Sequence, residues 1–171
     1  MNLGEVLSAL RRRDRVVIYG PPKSCKTALA LRSSAPCVYV DLEYRFPLLA
    51  ELLGVPSLVG DPSPSSLREL VTRALKLSRL LYGTPRIVLD SVMTTLRFHG
   101  PSHLSFLSEL PGRITVVSPY YLRLEGFEAF KVSRDRSTGD VVVAGPGVLA
   151  RFPSEELFSL EVYGRWAYST S

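Results

Sequence analysis

The sequence predicts an α/β fold: a central, mostly parallel sheet flanked by helices, with antiparallel strands added at its C-terminal edge. Three observations carry this. Short β-branched runs at residues 16–19, 37–41, 87–90 and 114–117 alternate with stretches of helical periodicity. The texture then changes to strand-like segments at 128–132, 140–144 and 157–162, with Ser137-Thr138-Gly139-Asp140 as a hairpin turn. Finally, 171 residues of which 46% are apolar fit one core-bearing domain spanning 1–171.

Taken in order, Leu3, Val6, Leu7 and Leu10 recur at helical spacing, so residues 1–14 hold a short amphipathic N-terminal helix. Arg11, Arg12, Arg13 and Arg15 follow and read as its solvated end, since cations suit a helix C-terminus. Strand 16–19 runs into Gly20-Pro21-Pro22, and residues 27–32 open a helix. After strand 37–41, residues 46–53 read as helical with Gly54 as the stop, and 60–66 as a loop. Ser66 is placed to cap the next helix, with Glu69 three residues on as in a capping box. Leu67, Leu70, Val71, Ala74, Leu77 and Leu81 keep its apolar face, and Gly83 before Thr84-Pro85 ends it. Residues 103–110 form a weaker helix between the third and fourth strands.

Composition narrows the function classes. No apolar run reaches the roughly eighteen residues of a membrane span. The first residues carry no signal-peptide pattern, so a cytoplasmic location is expected. Two cysteines agree with a reducing compartment. The helix between Cys25 and Cys37 separates them by about 10 Å at 1.5 Å per residue. That exceeds disulfide reach, so free thiols are expected. The net charge of +5 comes almost wholly from arginine. It permits nucleic-acid contact and equally suits a solvated basic surface. Glutamine is absent and Asn2 is the only asparagine, a composition that hints at a heat-adapted source.

The segment GPPKSCKT, residues 20–27, nearly matches the phosphate-loop pattern G-x-x-x-x-G-K-[ST]. Strand, glycine turn and helix start together make an anion site, because backbone N–H groups and the helix dipole face it. Gly20, Pro21, Pro22, Lys23, Ser24, Cys25, Lys26 and Thr27 are the nucleotide-binding candidates. Lys26 is placed for the β- and γ-phosphates, and Thr27 for Mg²⁺ through its hydroxyl. Cys25 replaces the second glycine. If that position needs a positive φ, a Cβ there costs about 1–2 kcal/mol. That corresponds to about a tenfold loss of nucleotide affinity. As a thiol at a helix start Cys25 is a redox candidate, but packing is the stronger reading.

Asp90 ends the strand IVLD, where an acid holds Mg²⁺ in phosphate-loop enzymes; the competing reading is a strand-ending Asp. Asp41 and Glu43 follow the second strand, and Glu43 is the candidate general base. Parallel sheets gather their sites at the carboxyl ends of strands, so Gly20, Glu43 and Asp90 are expected to converge. Tyr120, Tyr121 and Arg123 resemble a stacking-plus-cation patch for single-stranded nucleic acid, against the commoner reading of core or interface aromatics. His99 and His103 lack partners at metal spacing and read as a surface helix start.

In order, GPPKSCKT, VYVDLEYRF (38–46) and RIVLDSVMTTLRF (86–98) resemble the three core motifs of the RecA/RadA recombinase superfamily. FKVSRDRSTGDVVV and LFSLEVYGRW (157–166) resemble the closing strands of the RadA core. The resemblance implies a RecA-like P-loop NTPase core using ATP and Mg²⁺, with Lys26 and Thr27 on phosphate and metal, Glu43 as base and Asp90 as the acid. By the same resemblance, Lys131, Arg134 and Arg136 on the hairpin would reach a neighbour's nucleotide, against the commoner reading of a solvated turn.

Departures from the family are as informative. Only about fourteen residues precede the first strand, where the family carries a helical DNA-binding domain. The linker lacks its F-x-x-A polymerisation motif, and both DNA-binding loops are short. Ser118-Pro119-Tyr120 stands where the family's Asn-Gln senses the γ-phosphate. These features imply a minimal RadA paralogue: an accessory protein in DNA recombination and repair, binding ATP weakly and partnered by a RecA/RadA-family recombinase or another paralogue. The alternatives are an active DNA-stimulated or circadian-clock-type (KaiC-like) signalling ATPase, and, least favoured, a small phosphotransferase.

Overall fold

Asn2 starts the first helix. Its side chain accepts the Glu5 N–H at 2.9 Å, and α1 (Leu3–Arg11) buries Leu3, Val6, Leu7 and Leu10. This computed structural model describes residues 1–159. From α1 the chain enters β1 (Arg15–Tyr19), crosses through α2 (Lys26–Ser34) to β2 (Val38–Asp41), and makes a short α3 (Leu48–Leu52). Next come β3 (Ser57–Val59), the long α4 (Pro64–Tyr82), β4 (Arg86–Asp90) and α5 (Met93–His99). A 3-10 helix, Pro101–Glu109, leads into β5 (Arg113–Ser118). The last strands, β6 (Glu128–Arg134), β7 (Val141–Gly145) and β8 (Val148–Phe152), precede a second 3-10 helix, Ser154–Phe158.

The strands form one sheet in the order β3-β2-β4-β5-β1-β6-β7-β8. Neighbours from β3 through β6 pair in parallel, and β6-β7-β8 are antiparallel. Parallel central strands carry residues buried on both faces, which is why they read as continuous apolar runs. One core cluster joins residues of α1, α2 and α3 to one face; α4, α5 and the first 3-10 helix cover the other. No helix among the described residues is long and apolar enough to cross a membrane.

Several local expectations are corrected. The N-cap position of α4 is Ser63 rather than Ser66, and the helix begins with a proline, which suits a first helical turn. Glu69 therefore makes no capping box and instead pairs with Arg73 at 2.8 Å, one turn on. Leu81 falls off the apolar face and is exposed. The strand expected at 157–162 is 3-10 helix at Leu157 and Phe158, with Ser159 as its C-cap, and residues 160–162 lie outside the described residues. The edge is built instead by β8, whose alternating burial puts Val148, Ala150 and Phe152 inward. β3 and α5 were not anticipated at all.

Of the N-terminal arginines only Arg12 is exposed as expected; Arg11, Arg13 and Arg15 are half-buried and engaged. Arg11 donates to the Ala35 carbonyl, Arg13 to the Pro146 carbonyl and Glu128, and Arg15 to the Leu107 and Leu110 carbonyls. Arg113 completes the set. Buried, it donates to the carbonyls of Leu10, Arg11, Arg13 and Ser33. Cations thus tie the C-terminal carbonyls of α1 and α2 to the sheet.

Candidate functional site

β1 ends at a glycine because nothing larger fits. A Cβ on Gly20 would lie 1.9 Å from the Val132 carbonyl oxygen of β6. The chain then turns through Lys23 and Cys25, both with positive φ (60° and 72°), into α2. The position occupied by Cys25 does require the left-handed backbone that glycine takes freely. Ser24 braces the turn by donating to the Pro21 carbonyl at 2.8 Å. Cys25 gives α2 no side-chain cap, which leaves the N–H groups of the first helical turn to another partner. Both cysteines are free thiols. Burial raises the pKa of each, to about 12 for Cys37, and Cys25 packs, partly buried, against the core.

Lys26 folds back over the turn, its Nζ donating to the Gly20 and Pro21 carbonyls at 2.7 Å each. Burial lowers its pKa, Asp90 opposes that, and Arg45 adds to it by repulsion. The Thr27 hydroxyl and the Tyr39 hydroxyl each donate to Oδ2 of Asp90 at 2.6 Å. Burial raises the Asp90 pKa against these two hydrogen bonds. Asp41 lies beside Asp90 in the register of β2 and β4.

These residues open onto a cavity of about 560 Å³ at the carboxyl ends of the strands. Lys26, Thr27, Arg45 and Asp90 line one part of it, and Leu48, Leu52, Met93 and Phe158 make an apolar wall. The volume suits a small organic ligand, for which roughly 300–1,000 Å³ is usual. The polar part suits an anion with a hard cation. Among the described residues no group of three or more His, Cys, Asp or Glu side chains is arranged to hold a metal. A hydroxyl and a carboxylate nevertheless match Mg²⁺, which takes its remaining oxygens from phosphate and water.

Lys26, Thr27 and Asp90 are therefore brought together, while Glu43 is not at the cavity surface. Its Oε2 pairs with Arg45 Nη2 at 2.6 Å, and its Oε1 is buried with no hydrogen-bond partner. Tyr120 and Tyr121 are exposed just beyond β5, with Tyr121 edge-on to Tyr19 at 5.5 Å. Arg123 is apart from the main cavity, lining a smaller one with Ser102 and Glu125. Arg134 closes the hairpin by donating to the Gly139 carbonyl and to Ser154. His99 and His103 meet edge to face at 5.6 Å. Two members of the site, Tyr39 and Arg45, had gone unassigned. Their signal was position: Tyr39 lies in the strand ending at Asp41, and Arg45 is two residues past Glu43. No family model and no curated protein matches this chain.

Proposed function

We propose that the chain is a RecA-like P-loop core that binds ATP with Mg²⁺ and acts as an accessory protein in DNA recombination and repair. The observation that carries the nucleotide reading is the convergence of Lys26, Thr27 and Asp90 on one cavity at the strand ends. When bound, MgATP brings a polyphosphate and a hydrolysable anhydride bond. Lys26 would neutralise phosphate charge, the α2 N-terminus would donate N–H groups, and Thr27 with Asp90 would hold the metal. Glu43 is the group able to orient water, and its pairing with Arg45 argues for slow turnover.

The recombination role rests on the ordered resemblance of the three motifs to RecA/RadA proteins. Exposed Tyr44, Phe46, Leu48 and Leu52 beside the cavity favour action through a recombinase or another paralogue, because such apolar surface is suited to a partner. Exposed Tyr120 and Tyr121 favour contact with single-stranded DNA. The test is ATP binding and turnover by the full chain and by Lys26→Ala, Glu43→Gln and Cys25→Gly. Binding lost in Lys26→Ala and slow turnover abolished in Glu43→Gln support the reading. A chain that binds no nucleotide, with or without Cys25→Gly, refutes it.

A further inference from the structure

Among the described residues Arg45 is the one arginine lining the cavity, and the turn that carries it is built with care. Fully buried Asp41 accepts the N–H groups of Glu43, Arg45 and Phe46 at 3.2, 3.2 and 2.9 Å. Tyr44 and Phe46, on either side of Arg45, hold φ values of 54° and 45°. Bulky residues rarely adopt that backbone. The outcome is a reversal of the ordinary preference: the two aromatic rings are 60% and 65% exposed, and the cation faces the cavity. Arg45 then has two competing tasks. It pairs with Glu43 at 2.6 Å, and it adds positive charge to a space already lined by Lys23 and Lys26.

We propose that Arg45 reads the terminal phosphate: its guanidinium leaves Glu43 for the third phosphate of a bound nucleoside triphosphate, and Glu43 is freed only then. The inference rests on the nucleotide reading above and adds a residue to it. A guanidinium exchanges one carboxylate for a phosphate without loss of geometry, since its fork suits both. The exchange is open to Arg45 because its side chain is 59% exposed and can swing toward the cavity, while Glu43, 10% exposed, stays in place. Once Arg45 leaves, Oε2 of Glu43, the oxygen it had covered, is the one opened to water. A diphosphate offers nothing to draw Arg45 away. The device also supplies the γ-phosphate contact for which Ser118-Pro119-Tyr120 provides no amide side chain.

The test is calorimetric titration of the full chain with MgADP and with the magnesium complex of the non-hydrolysable β,γ-imido analogue of ATP. Arg45→Ala should weaken the triphosphate analogue by about tenfold or more and ADP by less than about twofold. Arg45→Lys should restore part of the loss. Glu43→Gln should tighten the triphosphate analogue by removing the competing carboxylate, and that gain should vanish in Glu43→Gln/Arg45→Ala. Equal weakening of both ligands by Arg45→Ala, or a Glu43→Gln gain that persists without Arg45, overturns the proposal. Binding that depends on Lys26 but ignores Arg45 overturns it alone. Wild-type chain that binds neither ligand overturns it together with the nucleotide reading. Melting curves should show the variants folded, with Glu43→Gln/Arg45→Ala, which leaves no buried carboxylate unpaired, as the control for Arg45→Ala.

Discussion

Thr27 donates to Asp90 at 2.6 Å across a separation of 63 residues in sequence, and this bond ties the start of α2 to the end of β4. In the nucleotide reading these are the two side chains that would hold Mg²⁺. Asp90→Asn keeps an acceptor for Thr27 and Tyr39 but removes the charge that burial disfavours. The cost of an amide NH2 without an acceptor offsets the relief of a desolvated carboxylate, so the melting temperature should stay within about 3 °C of the parent. Nucleotide affinity should lose its dependence on Mg²⁺, as titration with and without the metal would show.

Cys25 stands at φ 72°, a conformation costly for any residue with a Cβ. Cys25→Gly removes that strain, whereas Cys25→Ala keeps it and loses only the sulfur. The glycine variant should be more stable than the alanine variant by about 1 kcal/mol. In thermal unfolding that is a difference of about 2–4 °C. The same order should hold for nucleotide affinity. Equal melting of the two variants would show that the loop relaxes around the side chain.

Arg113 is a buried cation held by four carbonyl groups from two helix ends and the turn before β1. Burial, with Arg86 nearby, lowers its pKa to about 10, so the carbonyl dipoles are what make its charge tolerable. Arg113→Met fills much of the space but removes a donor from those carbonyls, of which that of Leu10 keeps the Arg13 N–H. Unsatisfied buried acceptors cost about 1–3 kcal/mol each before relaxation. A net loss of about 3 kcal/mol is expected in urea unfolding. Arg12→Met, on an exposed side chain next to the same region, should cost less than about 0.5 kcal/mol.

Asp135 carries the hairpin between β6 and β7. It accepts from the Ser137 N–H and hydroxyl and from the Thr138 N–H, and it pairs with Arg151 at 2.7 Å. These hold its pKa below the ordinary 3.8, the Ser137 hydroxyl first. A lowered folded-state pKa means that the ionised form stabilises the native state above pH 3.8, and that this contribution is lost as pH falls further. The stability difference between the parent and Asp135→Asn should thus be constant near neutrality and shrink on acidification. A difference that grows toward low pH would contradict the assignment.

Much of this arrangement was legible in the residues. The four central parallel strands showed as β-branched runs because they are buried on both faces. Gly20, Lys26, Thr27 and Asp90 were legible because a fixed motif and a strand end dictate their places. What was missed has local causes. β3 is a three-residue edge strand between Pro56 and Gly60, too short to show alternation. β8 did show alternation in Val148, Ala150 and Phe152, but it follows a Gly-Pro-Gly turn that reads as loop. The arginines misled because charge patterning shows where cations are and not which distant carbonyls they reach. Glu43 was expected at the cavity and lies behind Arg45, a matter of side-chain pairing that spacing alone does not encode.

The most direct test of the central claim is equilibrium binding of MgATP to the full chain beside Lys26→Ala. Lys26 gathers the loop carbonyls at 2.7 Å and faces the cavity with Arg45 and Asp90, so a bound polyphosphate must feel its loss. Measurable binding by the parent, weakened by about tenfold or more in Lys26→Ala, is the predicted result. Absence of binding by the parent, or affinity that does not change without the Lys26 amine, would contradict the account.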